Sequence, residues 1–143
     1  FDRKVSISAG EAIVSAAGPA MNFILAIIFT VIYFAIYKFA GVSFIISNVG
    51  SILLTIIEVT VLVNIGLGVF NLIPLPPLDG EKIFRHILPY RAVEWLDRNA
   101  YTLNLIFLVL WITGLAGVII SPIIDVIQIG IFKLAAMLFG MSI

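Results

Sequence analysis

Asn71-Leu72-Ile73-Pro74-Leu75-Pro76-Pro77-Leu78-Asp79-Gly80 decides how this 143-residue chain is read. Three prolines within four positions cannot continue a helix and remove three backbone donors, so the chain must leave its helix and become extended there. The residues before this stretch, from about Ile52 to Phe70, are long and apolar enough to cross a bilayer. Non-helical backbone at that depth survives only where it is buried in protein or lines a polar cavity. The stretch therefore marks a cavity, with Asp79 at its end and Gly80 allowing a tight turn and a close approach. A carboxylate at membrane depth costs roughly 2.5–3.5 kcal/mol on insertion scales unless it is paired, so Asp79 is expected to have a cation partner or to hold a proton.

Composition agrees with a membrane setting. The chain is 62% hydrophobic and 11% charged, against roughly 45–50% and 25% in ordinary globular proteins, and its mean hydropathy is +1.23. A soluble domain is excluded. Eight basic residues balance eight acidic ones, so net charge gives no reason to expect a nucleic-acid partner. With no cysteine, disulfides and thiolate zinc sites are excluded.

Working outward, the charge-free runs predict spans at about 12–37, 52–70 and 101–120, with a possible fourth at 123–139 beyond Pro122. The last segment carries Asp125, Gln128 and Lys133 within an arc of about 140°, so it lies in the interface or spans within a bundle. Arg3, Lys4, Lys82, Arg85, Arg91 and Arg98 fall on one side, which the positive-inside rule makes cytoplasmic. Lys38 falls on the other. In the cytoplasmic loop, Ile83, Phe84, Ile87 and Leu88 share one helical face opposite Lys82, Arg85 and His86, and Pro89 stops the pattern. A second short helix is expected around Arg91–Arg98, with Glu94 paired to Arg98. The fold class is an all-α polytopic transmembrane bundle with interfacial helices and a proline-rich extended segment, in a single membrane domain over residues 1–143.

Asn71 to Gly80 resembles the N-x-x-P-x-P-x-x-D-G signature of the site-2 protease family, membrane-embedded zinc metalloproteases. Ala16-Ala17-Gly18-Pro19-Ala20-Met21-Asn22 resembles the same family's A-G-P-x-x-N element, and the 57 residues from Asn22 to Asp79 are natural for compact bacterial members. The Pro89-Tyr90-Arg91 run leading through Trp95 to Asp97 is similar as well. The resemblance implies a multi-pass protein of a bacterial cell membrane. It implies Zn2+ with Asp79 as one protein ligand, and Asn71 and Asn22 beside the active site. It also implies a transmembrane protein or peptide substrate cut at a transmembrane or membrane-proximal bond. Asn22, among small residues, serves equally well as an interhelical hydrogen bonder.

The family's other two ligands and its general base come from an H-E-x-x-H motif, and these residues contain none. The one histidine, His86, sits on the basic face of the interfacial helix and reads as solvated. One aspartate cannot hold a catalytic zinc, so the 143 residues alone are not a complete enzyme. Either the motif lies upstream, which an opening at Phe1 without a signal-peptide pattern favours, or the chain is a noncatalytic scaffold. Another class stays open: a channel or transporter subunit in which Glu58, Asn64, Asn71 and Asp79 line an ion path. Against it, Glu58 points away from the stripe of Asn64, Gly68 and Asn71. Gly66 and Gly68 read as close helix packing.

Overall fold

Residues 2–75 and 78–141 are described in the computed structural model, and every regular element among them is helical. In chain order these are α1 (Asp2–Phe39), α2 (Val42–Ile45), α3 (Asn48–Asn71), α4 (Asp79–Ile87), α5 (Tyr90–Ile112) and α6 (Leu115–Leu138). Gly10–Phe39 of α1, α3 and α6 are long and apolar enough to cross a membrane. Their exposed surface is largely isoleucine, leucine and valine, which suits lipid. Pro76 and Pro77, on which the sequence reading leaned, lie outside the described residues.

Lipid tails are as apolar as leucine, so the helices associate by close packing and internal hydrogen bonds. The sequence provides for both. Gly68 of α3 lies against the ring of Phe23 on α1, where a Cβ would meet that ring at 2.8 Å, and Gly66 faces Ile124 of α6 at 3.8 Å. The glycine pair thus receives a different helix on each side, as close packing required. Between these contacts Ala26, Val61, Ile65 and Val69 form the buried core, with Ile120, Ile124 and Ile127 packed against it. Buried Thr30 gives its hydroxyl to the Ala26 carbonyl at 2.8 Å, so no polar group is stranded there.

These contacts fix direction. Phe23 meets Gly68 while Ala26, further along α1, packs with the earlier Val61 and Ile65, so α1 and α3 are antiparallel. A second cluster joins Phe34 of α1 to Ala135 and Ala136 of α6, so α6 runs parallel to α1. At that end the Lys38 ammonium donates to the Phe139 carbonyl at 2.5 Å, satisfying an orphan acceptor at the end of α6. At the other end α4 packs on the first half of α1. The basic residues of α4 therefore share an end with the start of α1, while Lys38 lies at the opposite end.

Helix boundaries differ from the expected spans in the second half. The short helix at 91–98 and the run from 101 are one helix, α5, which ends at Ile112 rather than at 120. The crossing is made by α6 from Leu115, which passes straight through Pro122. Two local effects explain this. Gly114 adopts φ +77°, and its N–H bonds back to the Trp111 carbonyl at 3.2 Å. This left-handed stop suits glycine. Pro122 frees the Val118 carbonyl, but the Ser121 hydroxyl reaches it at 3.5 Å, the kind of local repair that lets proline persist in a membrane helix.

Gly114→Ala should lower the unfolding midpoint in detergent, by about 1–2 kcal/mol for an alanine forced into the left-handed region. Gly117→Ala, where a Cβ meets nothing within 4 Å, should leave it unchanged or raise it. Equal effects of the two would rule out Gly114 as the breakpoint.

Candidate active site

After Asn71 the chain leaves the helix, as the prolines demand, but between 72 and 75 it runs as consecutive turns. The N–H groups of Leu72, Ile73, Leu75 and Leu78 bond back to the carbonyls of Val69, Phe70, Ile73 and Leu75 at 2.8–3.1 Å. This corrects the expectation of an extended stretch over these four residues. With proline donors missing, the remaining N–H groups find local partners instead of an open edge. The backbone turns extended at Leu78, which is buried and precedes α4.

Asp79 opens α4. With Glu81 it places negative charge in the first turn, while Arg85 and His86 stand in the last, both favourable to the helix dipole. Gly80 is pressed against the chain it has just left: a Cβ there would come within 2.5 Å of the Leu72 carbonyl oxygen. Leu72, the turn and α4 are locked together at this point. Across the bundle, the Asp79 Oδ2 atom lies 3.5 Å from where a Cβ on Gly18 would stand. The carboxylate of one motif therefore rests against the glycine of the other.

Asn22 lies one helical turn beyond Gly18, and Asn71 is the last residue of α3. Both are half-buried. Phe23 against Gly68 places both asparagines within a turn of the α1–α3 crossing. Neither side-chain amide is committed to a hydrogen bond among the described residues, whereas Asn64 spends its own on the Thr60 carbonyl at 2.8 Å.

The ion pairs among the described residues involve Arg85 and Arg98, so the cation expected beside Asp79 is not supplied by them. Arg85 bridges Glu81 on its own helix to Asp97 on α5, the latter at 2.5 Å. The Arg85 guanidinium holds the Asp97 carboxyl below the usual carboxylate range, first through the hydrogen bond and then through its charge. Glu94 and Arg98 pair at 2.7 Å, as the spacing predicted. Beside the turns an apolar cavity of about 470 Å³ is lined by Phe23, Leu72, Leu75, Phe107, Ile119 and Ile123, among others. On the α1 side of α4, Lys82 shares a polar recess with Glu11 and Ser15.

A sequence model of Peptidase family M50 matches residues 6–114. The chain belongs to this family. It is also 29% identical over 127 residues to a Bacillus subtilis (strain 168) protein described as "Putative zinc metalloprotease YwhC", covering 89% of this chain and 57% of that protein. The chain thus spans somewhat over half the length of that relative. No solved structure matches it.

Membership in M50 makes zinc the metal to test against these residues. No three potential ligands among histidine, cysteine, aspartate and glutamate come together among the described residues. His86 is exposed on α4, and Glu58 is exposed on the surface of α3. Among the described residues the donor set does not make a metal centre, and Asp79 is the carboxylate that rests against Gly18. Sequence reasoning missed Arg85 and Asp97 as partners, since their spacing crosses Pro89 and gives no helical period.

Gly80→Ala should destabilise the protein by about 1–3 kcal/mol, the usual range for overpacking, because backbone carbonyls cannot step aside. Gly18→Ala, an ordinary contact at 3.5 Å, should be tolerated. Thermal melts of the two variants in detergent distinguish them. Because folded Asp97 binds its proton less readily than an unfolded aspartate, its bridge contributes fully above about pH 4 and is lost as pH falls through the lower folded value. A carbon-13 titration of Asp97 should therefore show a midpoint below about 3.9; a midpoint at or above that value would contradict the bridge.

Proposed function

We propose that the complete protein is an intramembrane zinc endopeptidase in which Asp79 is one protein ligand of the metal and two histidines and a glutamate base come from an H-E-x-x-H motif outside these residues. The observation that carries this reading is the contact between Asp79 and Gly18, which joins two motif elements far apart in the chain. Family membership and the zinc metalloprotease relative support it. Two histidines and the Asp79 carboxylate would hold the zinc, which would supply an activated water and a Lewis acid for the substrate carbonyl.

The rest falls to this chain's own groups. The start of α4 and the Gly80 contact aim the Asp79 carboxylate across the bundle at α1. Asn71 and Asn22, whose amides are uncommitted among the described residues, hydrogen-bond a substrate strand or the oxyanion that develops on its carbonyl. The substrate is a transmembrane or membrane-proximal segment that must unwind, because a helix hides its carbonyls in its own hydrogen bonds. The setting is a cell membrane, with water reaching the site from the end that carries the basic residues.

Metal analysis and cleavage of a transmembrane model substrate by the full chain test the assignment. Asp79→Ala should lose zinc and activity together. Asn71→Ala should keep zinc while kcat falls about 10²–10³-fold, as for loss of one oxyanion donor. Wild-type zinc content in Asp79→Ala would remove Asp79 from the ligand set, and zinc-free wild-type protein would favour an ion path or a scaffold.

A further inference from the structure

The helix that carries Asp79 has a second attachment besides α1. Arg85, in the last turn of α4, donates through Nε to Glu81 and through Nη2 to Asp97 of α5. One planar guanidinium thus spans two acids on two helices, a task its fixed fork suits and a lysine ammonium does not. The pairing matters because α5 is otherwise loosely held. None of its residues is buried. Its far end is fastened by aromatic contacts, Phe70 with Phe107 at 6.0 Å and with Trp111 at 5.0 Å, and it turns into α6 at Gly114, whose φ is +77°.

What α5 covers gives this attachment a consequence. Phe107 and Leu110 of α5 line the same apolar cavity as Leu72 and Leu75. Leu72 is also the residue whose carbonyl is packed against Gly80. The cavity and the Asp79 turn therefore share Leu72, and α5 contributes Phe107 and Leu110 to the same cavity. Two fastenings set its angle: the aromatic cluster beside Asn71 and the Arg85 bridge to Asp97.

We infer that Arg85 is a positioning residue, clamping α5 to the helix that carries Asp79 and so setting the width of the apolar cavity beside the site. Under the endopeptidase reading, on which this part rests, the cavity receives apolar side chains of the substrate segment, and the clamp governs how well they are held. Arg85 acts through Glu81 and Asp97, apart from the metal and substrate contacts proposed above. Its loss should appear in substrate binding before chemistry, and α5 should swing about Gly114.

The test uses the full chain in lipid nanodiscs with spin labels at Ile87 on α4 and Tyr101 on α5, 70% and 83% exposed. Pulsed electron spin resonance should give a narrow distance distribution for the otherwise wild-type chain. Arg85→Ala and Asp97→Asn should broaden it. Asp97→Asn leaves the Arg85–Glu81 pair intact, so it reports even if Arg85→Ala fails to fold. Arg85→Lys should broaden it partly, and the exchange Arg85→Glu with Asp97→Arg should narrow it again. In unlabelled protein, Asp97→Asn should raise KM for an apolar transmembrane substrate several-fold, with kcat and zinc content near wild type. An unchanged distance distribution in Asp97→Asn would overturn the clamp, and a fall in kcat with KM unchanged would overturn its role in substrate holding. If wild-type protein neither binds zinc nor cleaves, the endopeptidase reading fails, while the distances still decide the clamp.

Discussion

A helix broken at membrane depth must find partners for its freed backbone inside the protein. That constraint organises this molecule. The prolines after Asn71 end α3, the available N–H groups fold back into turns, and Asp79 then lies against α1 at Gly18. Gly80 lets α4 start against the turn it has just left, and Gly18 leaves room for the carboxylate that arrives. The two motifs meet because Gly80 stands where a side chain would hold the turn and α4 apart, while Gly18 presents a smooth surface to the arriving carboxylate.

Much of this was legible in the sequence. The proline run announced the helix break, and Gly66 and Gly68 announced close packing, which the structure realises on two different helices. The basic stripe of α4 and the Glu94–Arg98 pair followed from helical spacing. The likeness of the two motif elements to a protease family agrees with the M50 match. A metal centre could not be read from the sequence, and among the described residues no three potential ligands come together.

The boundaries of the later helices were less legible, for a physical reason. Hydropathy counts side chains, and from Tyr101 to Ile120 it sees one apolar run. The backbone sees Thr113-Gly114, where a glycine can turn left-handed and release the carbonyls of α5 to local donors. Pro122 misled in the opposite direction, since Ser121 repairs the gap it makes. The Arg85–Asp97 bridge was hidden because it depends on how α5 folds back on α4, and no local period records that.

The contact of Asp79 with Gly18 is what joins the two motifs. These 143 residues contain no cysteine, so a pair introduced as Gly18→Cys and Asp79→Cys can be oxidised in native membranes without competing thiols from this segment. A disulfide needs Cα atoms within about 7 Å. The account predicts rapid cross-linking of this pair and none of Ile24→Cys with Asp79→Cys, because Ile24 faces outward. No cross-link at 18–79, or an equal yield from both pairs, would contradict it.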